Sequence, residues 1–282
     1  MSETLNSAPN HCNENNFTVG DKNLYITSAS SKGNQSKWLL DNNFLKADDL
    51  GYEGLAEYAA YEMSKFTNIE EKLGFLVEYK LCIINDGLKN HNGCVSKYFT
   101  QPDEQIISIR RLYSQYGKSV DNEVDKLQSV EERVTSVVEF VEAQTGLTGF
   151  GEYLTLLMEF DALIFNEDRH FHNIALIKKP LGYAFTPVFD NGAAFLSDCT
   201  LDYPLNKPFE VCLRNVKAKP FSRSFAKQVE ACRNLYGSQL IIKGDIGSVK
   251  NKISGLSLYP DNMKERAVSA LLRGAELYKT YK

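Results

Sequence analysis

The sequence predicts an α+β fold with two lobes, a β-rich lobe that contains one main helix and a larger, mostly helical lobe. Three observations support this prediction. Strand-like runs separated by turn signals fill the first third of the chain, apolar residues at helical spacing dominate the remainder, and a short β insertion interrupts these helices at residues 173–190. We therefore divide the chain into a flexible tail (1–19), an N-terminal lobe (20–104) and a C-terminal lobe (105–282).

The N-terminal lobe is predicted to be a sheet accompanied by one helix. Apolar side chains at helical spacing indicate a helix over residues 51–66. Turn residues at 85–87 and at 90–93 separate the last β-rich runs of the lobe. The predicted strands and β-rich runs are 24–27, 37–41, 42–48, 75–84 and 94–99.

The C-terminal lobe is predicted to be helical from residue 105 onward, apart from its β insertion. Ser129, which precedes two glutamates, marks the start of one helix, and Gly146 marks its end. In the insertion, Gly182 separates two strand-like runs, the second of which ends at Asp190. Helices are expected to resume from about Lys219; the helical runs are 107–117, 130–146, 150–165 and 261–282.

The composition is that of an ordinary globular protein, with 282 residues, 43% hydrophobic and 24% charged. A net charge of −4 with interspersed signs argues against a nucleic-acid interface, so no direct nucleic-acid partner is expected. One local group of basic residues is predicted to be a solvated surface, with a docking face for a phosphate-bearing or acidic substrate as the alternative. Its members are Lys207, Arg214, Lys217, Lys219, Arg223 and Lys227.

The chain shows no sign of a membrane span, a signal peptide or a disulfide framework. Its most apolar run, residues 154–165, is interrupted by two acids and is shorter than the ~20 residues that span a bilayer. Its first residues lack a basic start and an apolar core. The six cysteines form no C-x-x-C pair, which argues against a zinc site or paired disulfides. We therefore expect a cytoplasmic location.

The chemistry is predicted to lie at Asp168, Asn173 and Asp190. Asn173 follows Asp168 by five residues, and Asp190 ends the second strand-like run of the β insertion. In phosphoryl transfer by kinases, one aspartate accepts the proton of the acceptor hydroxyl, while an asparagine and a second aspartate hold the Mg²⁺ that bridges the nucleotide phosphates. A cluster of polar residues directly after a long apolar helix is also where a rigid scaffold presents functional groups.

A transition-metal site is the alternative interpretation of the same segment, because Glu167, Asp168, His170 and His172 lie within six residues. Helical zinc sites favour histidines four residues apart, whereas these two are separated by two and would point apart on a helix. Asp168, Asn173 and Asp190 suit Mg²⁺ better, because this ion prefers oxygen ligands.

The strings DRHFHNIAL and VFDNG resemble the catalytic and metal-binding motifs of HipA-like serine/threonine kinases, relatives of the phosphatidylinositol 3/4-kinase fold. The resemblance is looser upstream, in KWLLDNNFLKADDLGYEGLAEYAAYEMSKFTNI and GCVSKYF, and spans roughly residues 20 to 200. It implies a two-lobed protein-kinase-like fold, Asp168 as catalytic base and Asn173 and Asp190 as magnesium ligands. His170 would shape the loop or contact the γ-phosphate. Asn191 stands where protein kinases have Phe, so their activation switch is not assumed.

The same resemblance implies a strand lysine that contacts the nucleotide phosphates and a helix glutamate that pairs with it. We assign these roles to Lys46 and Glu57, with Lys37 and Glu53 as the alternatives. A helical wheel places Glu57 roughly opposite the apolar stripe of its helix, which makes a solvated glutamate a competing expectation.

The loop at residues 27–36 has small residues and one glycine, which would let its backbone N–H groups approach phosphates. We include Ser31 and Gly33 in the predicted nucleotide site, with a plain surface hairpin as the alternative. HipA-like kinases can autophosphorylate a serine in this region, so the resemblance makes four serines hypothetical regulatory sites: Ser28, Ser30, Ser31 and Ser36.

The sequence thus predicts an ATP- and Mg²⁺-dependent kinase that phosphorylates Ser or Thr in a protein substrate. One alternative is a phosphoinositide or small-molecule kinase on the same fold. A second is a nucleotide-binding pseudokinase or the partner-binding half of a toxin–antitoxin pair. An antitoxin-like regulator is a further possible partner implied by the resemblance.

Overall fold

The computed structural model describes residues 15–25 and 35–281, and the fold is given for these residues. The N-terminal lobe contains five strands, β1 (Asn15–Thr18), β2 (Lys37–Leu40), β3 (Asn43–Ala47), β4 (Lys80–Asn85) and β5 (Asn90–Lys97). They form one sheet in the order β1-β4-β5-β3-β2, in which only the β1–β4 pair is parallel. Lys37 lies opposite Lys46 across β2 and β3, so both side chains are on one face of the sheet.

The main helix of this lobe, α1 (Glu53–Ser64), packs unusually close to the sheet. A Cβ atom on Gly54 would lie 2.6 Å from the backbone of Gly93 in β5, so the two glycines allow the approach. Ten of the twelve residues of α1 are buried. A short second helix, α2 (Ile69–Leu73), follows.

Several N-terminal predictions are wrong in detail. Residues 90–93 are the first half of β5 rather than a turn; the turn lies earlier, where Asn85 and Asp86 accept hydrogen bonds from the N–H groups of residues 87–89. Residues 15–18, assigned to the tail, form β1 because they pair with β4. Strand 24–27 is reduced to one bridge at Leu24 within the described residues, and 75–79 are not strand.

The C-terminal lobe is built around the buried helix α6 (Phe150–Ile164), which packs on α8 (Phe225–Tyr236) and α10 (Asp261–Tyr278). The predicted helix boundaries at Ser129 and Gly146 are confirmed, because both cap α5. The remaining helices are α3 (Ile109–Gln115), α4 (Val120–Asp125), α5 (Val130–Thr145), α7 (Phe209–Leu213) and α9 (Ile246–Ser254).

A second, three-stranded sheet lies in this lobe and carries the segments of the predicted site. Its strands β6 (Gln105–Ser108), β7 (Ala175–Lys179) and β8 (Gly182–Phe185) pair in the order β6-β7-β8. Residues 105–108 were expected to be helical but form β6, because they pair with β7. The strand expected to run to Asp190 ends at Phe185, and the chain continues without regular structure.

The largest hydrophobic core joins the two lobes. Tyr52 and Leu55, at the start of α1, belong to the same buried cluster as Phe160 of α6 and Phe195. The hydroxyl of Tyr52 also donates to the carbonyl oxygen of Phe195, 2.7 Å away. Helix α1 is therefore fixed to the C-terminal lobe as well as to its own sheet. Within the described part of the chain, no helix is long and apolar enough to cross a membrane.

Candidate active site

A cleft of about 810 Å³ lies where the two lobes meet, and three of the described site residues predicted from the sequence line it: Lys46, Asn173 and Asp190. The sheet contributes Lys37 and Lys46, and the C-terminal lobe contributes Asn173 and Asp190. Aromatic side chains line another part of the cleft, where the rings of Phe99 and Phe189 lie 5.6 Å apart. The cleft therefore combines a charged region with an apolar one.

Lys46, Glu57 and Asp190 form a charged cluster in which Lys46 and Glu57 are buried and Asp190, which lines the cleft, is 22% exposed. The Lys46 ammonium donates hydrogen bonds to the Glu57 carboxylate and to Oδ1 of Asp190, the latter at 2.6 Å. Burial alone would lower the pKa of Lys46, but Asp190 and Glu57 raise it well above its ordinary value. Lys46 is therefore a fixed cation between two carboxylates.

Glu57 is fully buried, so the competing expectation of a solvated glutamate is wrong. The helical wheel failed because α1 is covered on several sides, by the sheet and by the C-terminal lobe. The other carboxylate oxygen of Glu57 accepts a hydrogen bond from the backbone N–H of Asn191, 2.9 Å away. Glu57 thus joins the lysine of one lobe to the segment after Asp190 in the other.

The two alternatives for this pair occupy different positions. The Lys37 Nζ lies 3.9 Å from Oδ1 of Asp190, so this lysine reaches the same carboxylate as Lys46. Glu53 instead accepts hydrogen bonds from the backbone N–H groups of Leu50 (2.7 Å) and Gly51 (3.0 Å). Glu53 therefore secures the turn before α1 and is not the partner of the lysine.

Asp190 has an unusual backbone conformation, with φ of 59° in the left-handed region. The carbonyl before it, that of Phe189, accepts a hydrogen bond from Arg169 at 2.7 Å. Burial by itself would raise the pKa of Asp190, but Lys37 and Lys46 lower it well below its ordinary range. Asp190 is therefore an anion in a fixed position.

A buried ion pair that the sequence interpretation missed holds the segment that carries the predicted catalytic base. Arg169 and Asp161 of α6 are both 1% exposed, and Nε of Arg169 lies 2.9 Å from Oδ2 of Asp161. The guanidinium also donates to the backbone oxygen of Asn173 (3.1 Å) and to Oδ1 of Asn191 (2.7 Å). A single side chain thereby connects α6, the loop after it and the segment at Asp190. In the sequence, the only indication of this ion pair was that Asp161 is an acidic residue inside a largely apolar helix.

Asp168, the predicted catalytic base, does not itself line the cleft but is bonded to Asn173, which does. Its Oδ1 atom accepts a hydrogen bond from Nζ of Lys219 at 2.8 Å, and its Oδ2 atom lies 3.6 Å from Nε2 of His170. The side-chain amide of Asn173 donates to the backbone oxygen of Asp168 at 2.9 Å. Asp168 and Asn173 are therefore joined directly, and Lys219 is a neighbour that the sequence had not linked to them.

The residues of the transition-metal alternative do not gather into a site. Glu167 accepts hydrogen bonds from the Tyr203 hydroxyl (2.5 Å) and from the backbone N–H of Lys217 (2.8 Å). The rings of His170 and His172 meet edge to face at 5.4 Å, and burial, then Arg110, lowers the pKa of His172. Among residues 15–25 and 35–281, no three His, Cys, Asp or Glu side chains are arranged to hold a metal ion.

The remaining predicted positions fall outside the cleft or outside the described residues. Ser31 and Gly33, with Ser28 and Ser30, are among the residues that the structure does not describe. Ser36 donates its backbone N–H to Asp49 at 2.7 Å. Of the basic group, Lys219 contacts Asp168, whereas the other five members are exposed.

No family model and no curated protein sequence matches the chain. Among solved structures it is similar to the Helicobacter pylori proinflammatory kinase CtkA, with a TM-score of 0.60 and 15% identity over 94% of this chain and 98% of that one. The chain therefore has the fold of that kinase. The predicted fold class, two lobes with a β-rich first lobe and a mostly helical second, is thereby confirmed.

A HipA chain is also among the solved structures to which this chain is similar. It comes from a structure of the Shewanella oneidensis MR-1 toxin–antitoxin system that contains HipA, HipB and operator DNA. The TM-score is 0.46 and the identity 13%, over 92% of this chain and 63% of that one. This chain therefore spans less than two thirds of the length of that HipA.

Proposed function

We propose that the protein is an ATP- and Mg²⁺-dependent protein kinase that transfers the γ-phosphoryl group to a Ser or Thr hydroxyl. The observation that carries the proposal is the convergence of Asp168, Asn173 and Asp190 with the Lys46–Glu57 pair around the cleft. These are the residue types that kinase phosphoryl transfer uses, and the fold is one that kinases have.

The donor set fits a magnesium ion. Asp190 offers a carboxylate and Asn173 an amide oxygen, and both side chains line the cleft. Hard oxygen ligands of this kind suit Mg²⁺, which is normally held by one or two carboxylates together with substrate phosphates. When bound, the ion would neutralise the charge of the phosphates of ATP. In this proposal Lys46 supplies a fixed positive charge to the same phosphates, and Glu57 holds it in place.

The proposed reaction is an in-line displacement at the γ-phosphorus atom. A bond forms between the acceptor oxygen and phosphorus, and the bond from phosphorus to the leaving oxygen breaks, so that ADP departs with the electron pair. Asp168 accepts the proton of the acceptor hydroxyl. Arg169 and Asn173 keep the loop in place, so most of the rate gain would come from positioning and electrostatics. His170, 3.6 Å from Asp168, would orient that carboxylate.

The aromatic part of the cleft would take the adenine base. Phe99 and Phe189 supply an apolar surface next to the charged region, and ligand sites typically combine such surface with a few placed polar groups. Ser31 and Gly33 remain predicted contacts to the phosphates.

The test is transfer of label from ATP in the presence of Mg²⁺, using the full chain and a panel of protein, lipid and small-molecule acceptors. Wild type is compared with Asp168→Asn and Asp190→Asn, and Asp125→Asn on the exposed end of α4 serves as the matched control. We expect label on Ser or Thr, its loss in the first two variants, and normal transfer by the control. Label on a lipid or small alcohol would show that the acceptor is not a protein. Folded wild type that binds ATP but labels nothing would contradict the proposal.

The same experiment also tests the alternative functions predicted from the sequence. A lipid or small-molecule kinase and a pseudokinase or antitoxin-bound module are distinguished by which acceptor, if any, is labelled. An antitoxin-like partner and a cytoplasmic location are predictions of the sequence that the transfer assay does not address.

A further inference from the structure

One cation of the basic group is placed against the predicted catalytic base. Lys219 follows Asp168 by 51 residues, yet its Nζ lies 2.8 Å from Oδ1 of Asp168. The Lys219 side chain is 37% exposed and that of Asp168 is 15% exposed, and the pair lies next to Asn173, which lines the cleft. An acceptor substrate can therefore approach both groups.

The backbone at Lys219 is held by a buried amide rather than left as a free loop. Gln228 of α8 is fully buried; its side-chain nitrogen donates to the carbonyl oxygen of Lys219 at 3.0 Å. The amide oxygen of Gln228 accepts the N–H groups of Phe221 (3.0 Å) and Ser222 (3.3 Å). Arg133 of α5 donates to the carbonyl oxygen of Phe221 at 3.0 Å. The position of Lys219 is therefore set by two helices of the C-terminal lobe.

The same segment is attached to the loop that carries Asp168. The backbone N–H of Lys217 donates to Oε1 of Glu167, the residue directly before Asp168, at 2.8 Å. This contact uses the backbone of Lys217, and its side chain is exposed. Lys217 and Lys219 thus belong to one segment, but only the ammonium of Lys219 contacts the predicted base.

We propose that Lys219 is a further catalytic residue of the phosphoryl transfer, which neutralises charge on the transferred group beside Asp168. The inference rests on the proposed kinase function. In that reaction the acceptor oxygen bonds to phosphorus, ADP leaves with its electron pair, and the hydroxyl proton passes to Asp168. Lys219 takes no part in this proton transfer. Because it touches the carboxylate that receives the proton, its charge lies next to the bond that forms, where it stabilises the transition state.

A purely structural role for the same contact predicts a different result. Exposed salt bridges usually contribute about 0–1 kcal/mol to stability, so a structural Lys219 would affect neither folding nor turnover strongly. A catalytic cation affects kcat while leaving nucleotide affinity unchanged, because the interaction is made in the transition state. The two roles are therefore separated by how kcat, KM and thermal stability change together.

The experiment compares Lys219→Met with Lys217→Met in the full chain, using the acceptor that wild type labels, its own chain included. For Lys219→Met we expect kcat to fall about 10²-fold, with KM for ATP within about 3-fold of wild type. For Lys217→Met we expect kcat within about 2-fold, because an exposed lysine without a described contact to the base leaves the transition state unchanged. Thermal unfolding of both variants shows whether folding is intact.

Restoring the ammonium tests whether its charge is what matters. Lys219→Cys, alkylated with 2-bromoethylamine, regains a side chain that ends in an ammonium close to the lysine position; Lys217→Cys treated in the same way is the control. We expect alkylation to restore at least about a tenth of the wild-type kcat for the first variant, and to leave the second unchanged.

Three outcomes would overturn the inference, and they are distinguishable. Wild-type turnover by Lys219→Met, while Asp168→Asn is inactive, removes Lys219 from the mechanism and leaves the proposed function in place. A slow Lys219→Met variant whose cysteine counterpart is not rescued by alkylation shows that the ammonium charge is not what turnover needs, which removes the proposed catalytic role. Wild type that binds ATP but transfers no phosphoryl group to any acceptor overturns the proposed function and this inference together.

Discussion

The two aspartates of the candidate site, Asp190 and Asp168, are held in different ways. Asp190 contacts a buried lysine from the sheet, and its neighbours on either side are bonded to Arg169 and to Glu57 of α1. Asp168 has a partly exposed lysine as its charged partner and a histidine at 3.6 Å. The end of the cleft proposed for nucleotide and metal is therefore rigid, whereas the end proposed for the acceptor is open.

This difference has a physical origin in the packing of α1. Because the start of α1 shares its hydrophobic core with the C-terminal lobe, the lysine, the glutamate and the segment at Asp190 form one connected unit. The acceptor end depends instead on a partly exposed ion pair, whose Lys219 belongs to a segment held by α5 and α8. Substitutions at the Asp190 end should therefore affect both stability and activity, and substitutions at Asp168 should affect activity alone.

The largest effect is expected for Lys46→Met. Removing this cation leaves Glu57 as a buried carboxylate without its ammonium partner, and breaking a buried pair in this way typically costs about 3–5 kcal/mol of stability. Phosphoryl transfer should fall at least about 10²-fold, because the fixed charge at the phosphates is lost. Lys37→Met is the matched control, since its Nζ lies 3.9 Å from the same carboxylate and should change both quantities far less. Chemical denaturation and the labelled-ATP assay measure the two effects, and equal losses in both variants would contradict the distinction.

Next in size is the stability loss expected for Asp161→Asn, which leaves the Arg169 guanidinium buried without its carboxylate. We expect about 3–5 kcal/mol of destabilisation, measured as a shift of the urea midpoint. Asp168→Asn makes the same chemical change at the open end and should cost no more than about 1 kcal/mol. If Asp168→Asn were as destabilising as Asp161→Asn, the contrast between the two ends would be wrong.

A smaller and pH-dependent effect is expected at Asp48, which secures the start of α1. Its carboxylate accepts hydrogen bonds from the Gly54 N–H (2.5 Å) and the Tyr259 hydroxyl (2.8 Å). Burial, followed by the nearby Glu53, raises the pKa of Asp48 to about 7. The folded state therefore binds a proton that the unfolded state releases between about pH 4 and pH 7, so stability falls as pH rises through that range.

The size of this effect is about 2–4 kcal/mol between pH 4 and pH 7.5. Asp48→Asn should remove most of that slope, because the amide does not titrate. The neighbouring Asp49→Asn, at an exposed residue that is the smallest of the causes raising the pKa of Asp48, should change the slope much less. Urea unfolding at several pH values measures it, and an identical slope for wild type and Asp48→Asn would refute the assignment to this carboxyl.

Spacing along the chain was sufficient to find the residues that lie near one another on the catalytic loop. Asp168 and Asn173 are five residues apart and are joined by a hydrogen bond, and Asp190 lies across the same cleft as Lys46. The caps of α5 were equally readable, because Ser129 and Glu132 act on backbone groups three residues away. Interactions between residues that are close in sequence can therefore be predicted from residue spacing.

Features that depend on distant partners were not readable from the sequence. The burial of Glu57 follows from packing of α1 on two sides, whereas a helical wheel assumes one buried face. Strand β1 forms in a polar segment because β4 offers it an edge, and residues 90–93 look like a turn although β3 and β4 pair with them. Lys219 was indistinguishable from its basic neighbours, since its partner is 51 residues away.

The most direct test of the account combines nucleotide binding with phosphoryl transfer in the two aspartate variants. We predict that Asp168→Asn binds Mg²⁺·ATP within about 3-fold of wild-type affinity and yet transfers the phosphoryl group at least about 10²-fold more slowly. Asp190→Asn should lose the Mg²⁺ dependence of binding as well as transfer. If Asp168→Asn retained wild-type transfer, or if wild type bound ATP equally well with and without Mg²⁺, the assignment of the two ends of the cleft would be contradicted.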